Sequence, residues 1–150
     1  MNIKIIKKIK YIDLKKLKIG EILLCKVIIT NKIHNKFCKL SGDNSPIHNN
    51  LNFCKKNGYN KIVGYGFLIH CILSKIYGTI FPGGNELCLK QDGNFINPYF
   101  VGDELLIKIK VIYKNLDLRL INLSTEFFRK KTKIFYGEST LQLVLCKNEL

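Results

Sequence analysis

Arginine is nearly missing from this chain of 150 residues. Arg119 and Arg129 are its only two, although Lys and Arg together number 25 against 11 Asp and Glu. The net charge of +14 is therefore a lysine charge. Proteins that read nucleic acid favour arginine for its forked contacts to bases and phosphates, and no recognition motif of that class is present. Nucleic acid is not expected as a partner, and a compositional bias toward Lys, Ile and Asn accounts for most of the charge. Also missing is any C-x-x-C pair: the six cysteines stand apart at 25, 38, 54, 71, 88 and 146. That spacing speaks against zinc and disulfide frameworks. Several lie in apolar runs such as Ile69-His70-Cys71-Ile72-Leu73. They read as small buried hydrophobes in a reducing, cytoplasmic compartment, with no metal.

No uncharged apolar run approaches the roughly 20 residues of a membrane-spanning helix, so membrane insertion is not expected. Residues 1–19 alternate basic and apolar side chains, without an apolar h-region or a small-residue cleavage site. This speaks against a secretory signal. The segment reads as an edge strand leading into Gly20, with a membrane-surface amphipathic segment as the lesser alternative.

What is present suits one soluble domain over 1–150, with 47% hydrophobic and 24% charged residues and length enough to bury a core without staples. Glu21–Thr30 is β-branched and apolar and predicts a strand. Thr30 or Asn31 can cap a short helix running through Leu40, with Phe37 and Leu40 on its inner face. Leu51–Asn57 predicts a further helical turn ended at Gly58. Gly66–Tyr77 is apolar nearly all round, which predicts a helix buried within a sheet, with Gly78 as its stop. Gly64 and Gly66 permit close backbone approach ahead of it. From Asn85 onward the pattern is that of strands: Leu87–Gln91 leading into Phe95–Asn97, Leu105–Tyr113, Leu116 to about Phe128, and Lys133–Leu145. Polar turns are expected at Lys114-Asn115 and Arg129-Lys130-Lys131. The whole is an α+β arrangement, a central helix with an antiparallel meander.

The candidate chemistry lies between helix and helix, in Ser41-Gly42-Asp43-Asn44-Ser45-Pro46-Ile47-His48. Pro46 stiffens this loop by fixing its own φ and extending Ser45. A carboxylate and an imidazole five residues apart across such a turn can hold one small molecule between them, as acid–base chemistry on a water requires. A turn-capping Asp above a packed His gives the same pattern. Gly66, His70 and Ser74 fall on one helical face; His70 reads as a satisfied core residue.

Ser41-Gly42-Asp43-x-x-Pro46-Ile47-His48, preceded by Phe37, resembles the signature of the (R)-specific enoyl-CoA hydratases, the MaoC-like dehydratases of the hot-dog superfamily. Tyr65-Gly66-Phe67-Leu68 running to Ser74, and Asn97-Pro98-Tyr99-Phe100-Val101-Gly102-Asp103-Glu104-Leu105, fit in order, and the resemblance spans roughly Leu17 to Leu145. It departs at Ser45, where the family usually has Asn. The resemblance implies a hot-dog fold, a long central helix wrapped by an antiparallel sheet, and reversible hydration of trans-2-enoyl thioesters. It also implies Asp43 and His48 as the catalytic pair, the Gly66 N–H as oxyanion donor, and Ser74, Tyr65 and Phe67 in the substrate pocket. No cofactor or metal is expected, the substrate being carried as a coenzyme A or acyl-carrier-protein thioester whose phosphates a few lysines would attract. A homodimer is expected, because a lone sheet leaves its edges open. The alternatives are a hot-dog acyl-CoA thioesterase and a non-catalytic acyl-CoA or nucleic-acid binder.

Overall fold

A computed structural model describes residues 1–10 and 13–144; the end of the last expected strand and Cys146 lie outside them. The elements in order are β1 (Ile3–Lys7), β2 (Ile22–Ile28), α1 (Asn31–Ser41), α2 (Pro46–Asn49), α3 (Leu51–Lys56), α4 (Gly66–Thr79), β3 (Glu86–Gln91), β4 (Asn94–Phe95), β5 (Glu104–Asn115), β6 (Leu120–Arg129) and β7 (Thr132–Leu143). The strands form one antiparallel sheet in the order β1-β2-β5-β6-β7-β3, with β4 also pairing to β7. The segment before Gly20 does supply an edge strand, β1 on β2.

Alternation decides which face of the sheet is dry. Along β6 every second residue is buried, Ile121, Leu123, Thr125 and Phe127, and β5 does the same with Leu105, Ile107, Ile109 and Val111. These side chains cluster with Leu68, Ile69, Ile72, Leu73 and Ile76 of α4 in a continuous core. Each fully buried Leu or Ile contributes about 1.5–3 kcal/mol relative to exposure, so the sheet is held on the helix chiefly by apolar burial. This is the hot-dog arrangement, a central helix wrapped by an antiparallel sheet.

Several expectations are corrected. The helix is not buried all round: Phe67 is 72% exposed, and Cys71 and Ser74 are exposed with it, because one face of α4 has no sheet against it. Cys71 and Cys88 are thus surface thiols, while Cys25 and Cys54 are buried as expected. Leu40 is 83% exposed rather than on the inner face of α1; that face is made by Ile33, His34, Phe37 and Cys38. Gly78 does not stop α4, which continues to Thr79 and ends where the Ile80 and Phe81 N–H groups both donate to the Ile76 carbonyl. The turn expected at Lys114-Asn115 falls at 116–119, after β5 has run through Asn115. Asn115 Oδ1 accepts from Leu118 N at 2.9 Å and Arg119 adopts φ 53°, so Leu116 and Leu118 imitate a strand while forming a side-chain-closed turn.

Candidate active site

The site begins with how α1 ends. Thr30 caps the helix through its side chain, and Gly42 closes it in the left-handed region at φ 71° with its N–H on the Cys38 carbonyl. Gly suits that position because it has no Cβ to strain there. The chain turns sharply and delivers Asp43 to the end of the helix. The Asp43 carboxylate then accepts from both the backbone N–H and the hydroxyl of Ser45. Those two bonds, the hydroxyl first, hold its carboxyl below the usual carboxylate range, with a small further contribution from His48. The residue that departs from the family signature is therefore the one that braces the carboxylate.

Pro46 opens α2, the four-residue helix that carries His48. His48 Nδ1 lies 2.9 Å from the Val63 carbonyl oxygen. A carbonyl only accepts, so Nδ1 carries the proton, and Nε2 is the ring nitrogen left for chemistry. The backbone carbonyl of His48 is also held, 2.7 Å from His34 Nε2, which must donate. His34 is buried at 3% exposure, and burial pushes its imidazole below the ordinary value.

Tyr65 stands behind the pair. Its ring packs at 4.2 Å from the His48 ring, 4.6 Å from His34 and 5.0 Å from Phe37. Its hydroxyl donates to the Asp43 carbonyl at 2.8 Å and accepts from Asn49 Nδ2 at 3.1 Å. Burial is the main reason that its phenol is pushed up to about 12. Tyr65 is fixed in turn by Tyr99, whose hydroxyl donates to the Tyr65 carbonyl at 2.6 Å. A Cβ on Gly64 would overlap the Tyr99 ring, which is why a glycine precedes Tyr65. The Asn97–Leu105 motif is thus scaffold for the site. It carries Tyr99 to Tyr65, and Asp103 closes its turn by accepting from Phe100 N at 2.9 Å.

Asp43, His48, Tyr65, Gly66 and Phe67 line one cavity of about 420 Å³ together with Phe37, Ser41 and Phe95. Gly66 is the first residue of α4, so its N–H has no intrahelical acceptor and lies at the positive end of the helix dipole. Tyr65 forms the back wall, and Phe67 sits at the exposed mouth. Ser74 is not brought to this cavity; it stands two turns along α4 on the exposed face. His70 is half-buried, with the Phe95 and Phe135 rings edge-on to it at 5.7 and 5.4 Å. It packs against these rings at the margin of the core cluster and not within it, which corrects its reading as a satisfied core residue. Nothing in the sequence marked His34, Asn49 or Phe95 as part of the site, since none forms a recognisable spacing with Asp43. A larger groove of about 490 Å³ lies on the outer face of the sheet, where Lys108 and Lys133 both pair with Glu126. It presents no comparable acid–base pair.

No family model matches the chain. The curated (R)-specific enoyl-CoA hydratase of Aeromonas caviae is 29% identical over 108 residues, covering 71% of this chain and 81% of that protein. A mitochondrial 3-hydroxyacyl-[acyl-carrier-protein] dehydratase of Arabidopsis thaliana is 23% identical over 128 residues, covering 83% of this chain and 76% of the relative. Among solved structures, an (R)-hydratase from A. caviae involved in PHA biosynthesis superposes with a TM-score of 0.81 at 25% identity, over 86% of this chain and 98% of that one. The chain thus has the hot-dog fold and is similar in sequence and structure to (R)-specific enoyl-CoA hydratases.

Proposed function

We propose that the protein is a hydro-lyase that adds water reversibly across trans-2-enoyl thioesters to give (R)-3-hydroxyacyl thioesters. The observation that carries this reading is one cavity lined by an ionised carboxylate, an imidazole of fixed tautomer and the first residue of a buried-core helix. In the hydration direction the water oxygen attacks the β-carbon while Asp43 takes one of its protons. The electrons of the double bond move toward the thioester carbonyl, and the negative oxygen is stabilised by the Gly66 N–H and the helix dipole. The proton passes from Asp43 to the free Nε2 of His48, and the enolate collapses as the α-carbon takes it from there. One O–H bond of the water and the C=C π bond break, one C–O and one C–H bond form, and Asp43 is again a carboxylate with His48 protonated on Nδ1 alone. A side chain at position 66 would crowd the thioester, which suits glycine there.

The names of the relatives include both a CoA and an acyl-carrier-protein thioester, and either carrier suits this chemistry. A homodimer is supported by the outer edge strand β3, where Leu87 and Leu89 are 55% and 52% exposed. An open apolar edge of this kind is covered in stable proteins, here by a second copy. The deciding assay follows loss of the conjugated double bond of crotonyl-CoA and of a longer enoyl-CoA, with free thiol measured in parallel. Hydration without thiol release is expected. Thiol release without loss of the double bond would replace this reading with a thioesterase.

A further inference from the structure

His34 lies outside the pair that the proposed chemistry uses, yet it is one of the few polar side chains in the core. It is 3% exposed, and its Nδ1 has no hydrogen-bond partner among the described residues. A buried imidazole with one unpaired nitrogen costs stability. Its single polar gain is the 2.7 Å bond from Nε2 to the His48 carbonyl. That carbonyl needs an outside donor, because α2 is only four residues long and ends one residue later. His48 is thus held at two points on different elements, the carbonyl by α1 and the ring by Val63. The Tyr65 ring packs against both imidazole rings.

From this geometry we infer that His34 is a positioning residue, which sets the backbone of His48 so that its Nδ1–H stays on Val63 and its Nε2 faces the cavity. Without that donor, α2 relaxes to hydrate or re-pair the carbonyl, and the His48 ring loses its single orientation. Small displacements of an acid–base group cost catalysis steeply, about a hundredfold for 1 Å. The inference gives a further role to a residue beside the proposed site and rests on the hydratase reading only for its kinetic arm.

The experiment compares His34→Leu with His34→Gln in the full chain. Leu fills the space without a donor, whereas the Gln amide can place an N–H where Nε2 stands. The chain has three histidines, so long-range proton–nitrogen correlation spectra assign His48 through single variants. In the unsubstituted protein His48 is expected as one tautomer, protonated on Nδ1. His34→Leu is expected to give mixed tautomers and to lower kcat for an enoyl-CoA roughly tenfold to a hundredfold with KM nearly unchanged. His34→Gln is expected to restore both. A single Nδ1–H tautomer with unchanged kcat in His34→Leu overturns the inference. So does a His34→Gln variant as impaired as His34→Leu, because ring packing rather than the hydrogen bond would then be responsible. If the unsubstituted protein hydrates no enoyl thioester, the hydratase reading fails and the spectra alone decide the role of His34.

Discussion

The hydroxyl of Tyr65 donates to the backbone carbonyl of Asp43 at 2.8 Å, while its ring rests 4.2 Å from the ring of His48. One side chain therefore sets the spacing between the two groups proposed to act on water, reaching one through a hydrogen bond and the other through packing. Because Tyr65 directly precedes Gly66 at the start of α4, the same residue registers the pair against the proposed oxyanion donor.

Removing only the hydroxyl tests this relationship. Tyr65→Phe keeps the ring contacts and leaves the Asp43 carbonyl with only the long bond from Cys38 Sγ, and the Asn49 amide with only its bond to the Ser45 carbonyl. The expected loss of stability is about 1–2 kcal/mol by chemical denaturation. Hydration should fall through kcat more than through KM. An equal change in both constants would show that the hydroxyl serves binding rather than alignment.

Asp43→Asn and His48→Ala are expected to leave the circular dichroism spectrum intact, since neither side chain belongs to the apolar core. Each should lower kcat by about 10²–10⁴. The double variant should lose far less than the product of the two, because both groups act on one water. Strict multiplication of the effects would separate their roles.

Stability should depend on pH through two imidazoles, the buried His34 and the half-buried His70. Burial depresses His34 and His70 below 6.5, so between the folded values and 6.5 the unfolded chain binds more protons than the folded one. Their share of stability is whole above pH 6.5 and is lost as pH falls through the folded values. Asp43 is depressed from 3.8, so its share is lost only in more acidic solution. Denaturation midpoints measured from pH 8 to pH 4 should fall, and His34→Gln should flatten part of the fall. A profile that His34→Gln leaves unchanged would remove that histidine from the effect.

Two glycines should respond differently to alanine. At Gly64 the added methyl overlaps the Tyr99 ring, which is buried and hydrogen-bonded; a loss of roughly 1–3 kcal/mol or more is expected. At Gly66 the methyl meets the Phe95 ring at 3.3 Å, and that ring is 48% exposed and can yield. Gly66→Ala should fold with little loss and hydrate poorly. Thermal melts beside steady-state kinetics distinguish the two, and normal turnover by Gly66→Ala would remove the crowding argument.

The sequence by itself determined the elements whose signals are local. Alternation marked β5, β6 and β7, the Ser41-Gly42 break ended α1, and Pro46 stiffened the loop, because backbone preference and side-chain period act between near neighbours. The signature residues Asp43, His48, Tyr65 and Gly66 were legible through their resemblance to a family, and the tertiary structure gathers them at one cavity. Only that structure decided which apolar residues are buried. Leu40, Phe67 and Leu89 are as hydrophobic as the core, yet they are exposed because, among the described residues, no element packs over them. The strand imitation at Leu116–Leu118 fails because Asn115 closes a turn that competes with alternation. Ser74 shares a helical face with Gly66 but not its cavity, since an α-helix rises about 1.5 Å per residue and eight residues carry it past the site. His34 was invisible for the opposite reason. Its partner His48 is fourteen residues away, and only the packing of α1 against α2 brings the imidazole to that carbonyl.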